Sequence, residues 1–263
     1  MRLLHTADWH VGREVGHRPR TEEFAAVLDE VVGIAAQERV DAVLVAGDLY
    51  EHRLPSTEAH GLVFDALLRL REQAIPVVAI AGNHDSPALL GVLGKVLAPL
   101  GTSLVTRPAR PESGGVVEIR SRDGSEAAVV ACLPFAPPRY FIDARRMHDA
   151  AESVYLDYAE KVGRLIGELA AAFRDDRVNV LMAHLFTDGA LLGGGERDLG
   201  VAIGMAYAVS PARLPGSATY VALGHAHLPQ TVKSAPCPAR YAGSLLQLDF
   251  GEQIGRASCR ERV

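Results

Sequence analysis

Nine side chains able to bind a metal or move a proton follow apolar runs in this chain: Asp8 and His10, Asp48, Asn83-His84-Asp85, His184, and His225 with His227. Residues two apart in an extended segment share a face, so Asp8 pairs with His10 and His225 with His227. Carboxylate, amide and imidazole together form a mixed oxygen and nitrogen donor set suited to Mn²⁺, Fe²⁺ or Zn²⁺. Each fragment has an ordinary alternative. Asn83-His84-Asp85 reads alone as a turn with a capping aspartate, and Asp8-Trp9-His10 as a loop acid beside a surface histidine. Together they exceed the four to six ligands of one ion, and two ions sharing a carboxylate, about 3.5–4 Å apart, account for the number. Asp48 stands alone after its strand and needs a buried partner. His84 directly follows Asn83, and neighbours at a strand end point to opposite sides, which separates His84 from that ion. An imidazole there can hydrogen-bond a bound group or give it a proton; the alternative is one further metal ligand.

The elements that must position these residues follow from periodicity. Strands are predicted at 2–7, 42–46 and 76–81, separated by helices starting near Thr21 and after Pro55-Ser56. Strand, helix, strand, helix, strand implies right-handed crossovers and a largely parallel sheet with ligands at the carboxyl ends of its strands. Gly82 is expected to turn the chain sharply at the third of these ends. A short helix near 87–97 precedes strands at 116–120 and 127–133, which form a second sheet; Cys132 is a small core residue within it. A long helix over about 151–173 presents a core-facing stripe, and strands follow at 178–183 and 220–223. Residues 240–244 and 246–250 read as a short hairpin. Arg139, Arg145 and Arg146 read as solvated surface, with a phosphate-contacting loop as the alternative.

A chain of 263 residues with 48% hydrophobic and 22% charged residues is an ordinary globular protein with a full core. No apolar run approaches the ~20 residues of a membrane span, and the opening residues read as a strand, not a signal peptide. Three widely spaced cysteines without a CxxC argue for a reducing, cytoplasmic setting and against a thiolate zinc site. The net charge of −5 announces no nucleic-acid partner, yet carboxylates that hold cations can still present positive charge to phosphate. There is no internal repeat and no linker, so residues 1–253 read as one domain.

Asp-x-His, Gly-Asp, Gly-Asn-His-Asp, a lone strand-end His and Gly-His-x-His, in this order, resemble the calcineurin-like metallophosphoesterase superfamily. Residues 5–12, the Glu196-Arg197-Asp198 loop, residues 224–230 and Tyr241-Ala242-Gly243-Ser244 are similar to the SbcD-type DNA exonuclease subunits within it. The resemblance covers residues 1 to about 252. It implies a four-layer α/β/β/α sandwich with two mixed sheets. It also implies Mn²⁺-dependent hydrolysis of DNA phosphodiesters by two divalent ions, in double-strand-break and hairpin processing. The implied partners are DNA, an SbcC-type coiled-coil ATPase and a second copy of the chain within that complex.

Carried over residue by residue, one ion takes Asp8, His10, Asp48 and His227. The other takes Asp48, Asn83, His184 and His225, with Asp48 bridging. His84 resembles the histidine that contacts the phosphate and assists the leaving group, with Asp85 orienting it. Some relatives place a second functional histidine three residues after the Gly-Asp aspartate. This chain has Glu51 there and His52 one position off, so His52 receives no role. No residue reads DNA bases; contacts to the phosphate backbone are expected. A small-nucleotide phosphodiesterase or phosphatase of the same superfamily is the alternative, and a non-catalytic binding scaffold a second one.

Ile254–Val263 abandons all pattern, and one back-translation of it reproduces a common sequencing adapter. The segment is therefore expected to be non-native, a basic disordered terminus being the alternative; if it is non-native, the resemblance implies a capping and partner-binding region missing after residue 253.

Overall fold

The computed structural model describes residues 1–137, 140, 151–193, 207–248 and 259–262. The Glu196-Arg197-Asp198 loop and Arg139, Arg145 and Arg146 lie outside the described residues. Two sheets carry the fold. The first has the order β11-β1-β2-β3-β4, from β1 (Arg2–Thr6), β2 (Ala42–Val45), β3 (Val77–Ile80), β4 (Thr102–Val105) and β11 (Cys259–Arg262). Its first four strands are parallel, and β11 pairs antiparallel with β1. The second has the order β5-β6-β7-β8-β10-β9, from β5 (Val116–Arg120), β6 (Ala127–Leu133), β7 (Val178–His184), β8 (Tyr220–Gly224), β9 (Gln230–Thr231) and β10 (Ala239–Tyr241). Parallel pairing joins β6, β7, β8 and β10, with antiparallel strands at both edges.

Strand alternation builds three apolar layers from this arrangement. Val43, Val45, Val77 and Ala79 face α1 (Thr21–Gln37) and α2 (Thr57–Glu72), through Phe24, Leu28, Val63 and Leu70. Their alternates Ala42, Leu44, Val78 and Ile80 face Val130, Cys132, Val180 and Met182 of the other sheet. The outer side of that sheet, with Leu181, Ala183, Val221 and Leu223, packs on Val162, Ile166 and Leu169 of α4 (Ala151–Ala170). Every β2 and β3 residue is buried, because each strand has an apolar layer on both faces. The result is helix, sheet, sheet, helix.

Ser56 caps α2 by accepting from the Ala59 N–H at 3.2 Å, and Ser86 caps α3 (Pro87–Leu97) through the Leu89 N–H at 3.4 Å. The caps sit just past the loops that carry Asp48 and Asn83, so those loops are pinned where the helices begin. Two expectations fail. β4 has no counterpart in the sequence reading. The expected hairpin at 240–250 does not form within the described residues: Ala239–Tyr241 pairs parallel with β8 and antiparallel with β9, and Leu246–Leu248 is not a strand.

Candidate metal centre

The parallel register brings the carboxyl ends of β1, β2 and β3 to one edge, opposite those of β7 and β8. Past β1 the pairing continues irregularly: Asp8 N–H donates to the Gly47 carbonyl at 3.0 Å and His10 N–H to the Asp48 carbonyl at 2.9 Å. Asp8, His10, Asp48 and His225 have φ of 51°, 47°, 52° and 95°, a region that costs a side-chain-bearing residue about 1–3 kcal/mol. That backbone aims buried polar groups inward where an ordinary strand would run on.

The expected ligands converge in overlapping groups whose donor atoms lie within 4.8 Å of one another: Asp8 with His10 and His227, His10 with Asp48 and His84, and Asp48 with His184 and His225. Asn83 joins the last, its Oδ1 lying 2.9 Å from His184 Nε2. Asp48 belongs to two of the three groups, and it takes its place from the His84 N–H, which donates to Oδ1 at 2.8 Å. Both oxygens of Asp8 accept from the His225 N–H, at 3.0 and 3.1 Å, which ties the two sheets together at the centre.

Two imidazoles are fixed in the tautomer that coordinates through Nε2. His184 Nδ1–H donates to the Ala46 carbonyl at 2.8 Å, and His10 Nδ1–H to Glu51 Oε2 at 2.8 Å. A neutral His184 then sets its Nε2 lone pair against Asn83 Oδ1 at 2.9 Å and Asp48 Oδ2 at 3.3 Å. A cation or a proton at that nitrogen resolves the conflict with both oxygens, whereas an Asn83 amide turned to present its NH₂ would leave Asp48 Oδ2 still facing the lone pair. His10 Nε2 is buried with no hydrogen-bond partner, 3.6 Å from Asp48 Oδ2. The donor set therefore fits divalent cations. Such ions supply Lewis acidity: they lower the pKa of a water and offset charge on phosphoryl oxygens.

The electrostatics point the same way. Burial pushes the Asp8 carboxyl up to about 7, against the pull of His184 and His227. Burial alone would lower the His184 imidazole, but the Asp48 carboxylate beside it raises it to about 9. Burial opposes ionisation of Asp48 too, and His184 and His10 nonetheless hold it well below the usual range. Burial depresses both His10 and His225. Buried carboxylates among imidazoles that cannot all share one protonation state are what a cation reconciles.

Gly82 has a different reason from the one expected. Its φ is outside the left-handed region, and a Cβ there would lie 2.1 Å from Asp48 Oδ1 and 2.4 Å from Asp48 N. Asp85 also departs from expectation. Its carboxylate accepts from the N–H groups of Gly82 at 2.9 Å, Tyr50 at 3.1 Å and Leu49 at 3.2 Å, clasping the loops after β2 and β3. His84 is oriented instead by the Glu51 carbonyl, which accepts from His84 Nδ1 at 2.8 Å. His84 is half-buried, and its membership of a ligand group with His10 and Asp48 leaves standing the alternative that it is a further ligand. His52 is exposed and lines a cleft of about 470 Å³ with Arg20, Phe24 and Leu62.

The sequence profile of calcineurin-like phosphoesterases matches residues 1–229. The chain belongs to the calcineurin-like phosphoesterase family. It is 34% identical over 254 residues to the SbcD subunit of the SbcCD nuclease of Bacillus subtilis (strain 168), covering 96% of this chain and 63% of that one. It is 32% identical over 265 residues to the corresponding SbcD subunit of Escherichia coli (strain K12), covering 96% and 62%. The chain thus spans less than two thirds of the length of these relatives. Among solved structures it resembles phosphopantetheinyl hydrolase (PptH) from Mycobacterium tuberculosis, with TM-score 0.50, 16% identity and coverage of 93% and 90%. That likeness concerns the fold alone, and it agrees with the two-sheet α/β architecture.

Sequence reasoning missed four contributors. Glu51 and Arg13 support His10, with Arg13 Nη1–H donating to Glu51 Oε1 at 2.7 Å. Phe135 and Phe186 bring their ring centroids within 5.7 and 4.0 Å of the His225 ring. Glu51 had one visible signal, an acid three residues after Asp48. Phe186 had another, its place two residues after His184.

Proposed function

We propose that this chain is the catalytic part of a metal-dependent DNA nuclease subunit that hydrolyses phosphodiesters with two divalent ions, Mn²⁺ being the expected one. The observation that carries the reading is Asp48 standing in two ligand groups, one with His10 and His84 and one with His184 and His225 of the other sheet. The similarity to SbcD-named relatives across 96% of the chain supports DNA as the substrate. On the same ground we propose an SbcC-type ATPase as partner, a second copy of the chain within that complex, and the cytoplasm as the place of action. Among the described residues no helix is long and apolar enough to cross a membrane.

In this reading Asp8, His10, Asp48 and His227 hold one ion, and Asp48, Asn83, His184 and His225 the other. His84 acts on the substrate. With Nδ1 held by the Glu51 carbonyl, Nε2 is the atom that carries a proton toward a departing oxygen. Asp85 keeps the loops bearing Asp48 and His84 at fixed separation. The adapter origin of residues 254–263 is likewise proposed; any short segment can pair with an open strand edge as β11 does with β1. A stop codon directly after Val263 in the source locus refutes that origin.

Metal analysis followed by an assay on end-labelled duplex DNA tests the function. Two ions per chain and cleavage that needs Mn²⁺ and stops with chelator are expected. A Mn²⁺-loaded chain that leaves DNA intact while hydrolysing cyclic nucleotides refutes the DNA assignment.

A further inference from the structure

Outside the proposed ligand set, Glu51 is a buried carboxylate, only 6% exposed, that touches the centre through His10. Its two oxygens are divided between two partners. Oε2 accepts from His10 Nδ1 at 2.8 Å, and Oε1 accepts from Arg13 Nη1 at 2.7 Å. Its main-chain carbonyl accepts from His84 Nδ1 at 2.8 Å, and its own N–H donates to the Val11 carbonyl at 3.2 Å. Arg13 is anchored in turn, with Nε–H donating to the Leu248 carbonyl at 3.3 Å. Each arm has a distinct consequence. The carboxylate fixes the tautomer of His10 and strengthens the lone pair on its Nε2, the buried atom with no hydrogen-bond partner. The carbonyl fixes the ring of His84 whatever the side chain at 51.

We infer that Glu51 is a positioning residue for the ion held by Asp8, His10 and His227, acting through His10, with Arg13 holding its carboxylate in register. The inference rests on the two-ion reading above. An ammonium in place of the Arg13 guanidinium would keep the charge beside Glu51 and lose the bond to the Leu248 carbonyl, whereas a neutral side chain at 51 would leave His10 with a poorer acceptor. His10 would then keep its ring position and lose basicity, so one ion weakens and the other does not. That selectivity separates positioning from general support of the fold.

The test is a titration of the metal-free 263-residue chain with MnCl₂, free Mn²⁺ being counted by electron paramagnetic resonance, alongside thermal melting without metal. Glu51→Gln keeps the shape and removes the charge. One of the two Mn²⁺ affinities is expected to fall about 10–100-fold with the other unchanged, while the metal-free melting midpoint drops only by the loss of the charge pairing with Arg13. Arg13→Met should weaken the same ion by a smaller factor, and it decides the matter if Glu51→Gln does not fold. Two ions bound with unaltered affinity by the variants overturn the inference alone. Equal loss of both ions together with a lowered metal-free midpoint also overturns it, because Glu51 would then be a support of the fold. A wild-type chain that binds no Mn²⁺ overturns the two-ion reading and this inference together.

Discussion

Gly82→Ala places one methyl group against the proposed bridging carboxylate. The new Cβ would lie 2.1 Å from Asp48 Oδ1, where ordinary contact begins at 3.4 Å, so about 1.3 Å must be opened. The next atom in the way is Asp48 N at 2.4 Å, which is backbone and cannot rotate aside. Asp48 is itself held by the His84 N–H at 2.8 Å and by its φ of 52°, so the strain passes into the ligand cluster. Overpacking of this kind costs about 1–3 kcal/mol, within the ~5–15 kcal/mol stability of a folded domain, so the variant folds. Displacement of a reacting group by ~1 Å costs on the order of 10² in rate, or about 2.7 kcal/mol of barrier. We expect fewer than two Mn²⁺ per chain after desalting and at least a 10²-fold loss of turnover on labelled duplex DNA. Gly61→Ala in α2 is the control. A Cβ there meets nothing within 4 Å, and the change should be neutral or stabilising by ~0.5–1 kcal/mol. Gly82→Ala protein holding two ions with turnover within threefold of wild type would refute the reasoning.

Asp48→Ala should abolish tight binding of both ions while His10→Ala weakens mainly one, as read by metal stoichiometry; two tightly held metals in Asp48→Ala remove the bridging assignment. His84→Asn should keep both ions and DNA binding and lose about 10² or more in kcat. Loss of a metal from that variant would make His84 a ligand. His5 is buried with Nδ1 3.0 Å from the Tyr220 hydroxyl, and burial lowers its pKa from 6.5 to about 3. The unfolded chain therefore binds the extra proton between those values, and stability present above pH 6.5 is lost toward pH 3 at up to ~1.4 kcal/mol per pH unit. His5→Gln should flatten that slope in denaturant melts of the metal-free protein between pH 6 and 4, and identical slopes would exclude His5 as its source.

The strand ends were legible because each is a short apolar run followed abruptly by a polar ligand type. Both sheet faces being buried makes Ala42–Val45 and Val77–Ile80 read as unbroken hydrophobic stretches. β4 was not legible. Thr102–Val105 is polar at its start and mostly half-buried, and only its pairing with β3 makes it a strand. The hairpin at 240–250 failed for a related reason: local pattern marks Ala239–Tyr241 as extended but carries nothing about the partner, which is β8 from 18 residues earlier. Asp85 was assigned to His84 by the family resemblance. A buried carboxylate facing three unpaired N–H groups satisfies more donors than one imidazole would, and that is where it sits.

The same accounting explains why the ligands occupy costly backbone. Asp8 and Asp48 each spend oxygen lone pairs on main-chain donors, His225 N–H and His84 N–H, that belong to other loops. Each carboxylate is thereby a joint between loops as well as a donor to the centre. A φ near +50° turns the side chain inward at the strand end, and the hydrogen bond across to the neighbouring loop offsets part of the strain. The remainder is electrostatic: His184 Nε2 faces two oxygens, with its pKa raised to about 9, and the buried His10 Nε2 has no hydrogen-bond partner, so the middle favours a positive charge, carried by a proton on His184 or by a cation. A fold serving only as a scaffold would relieve such conflicts by apolar substitution, since removing both members of a buried polar pair is often neutral or stabilising. Such groups, left facing one another across both sheets, are what the proposed cations would offset.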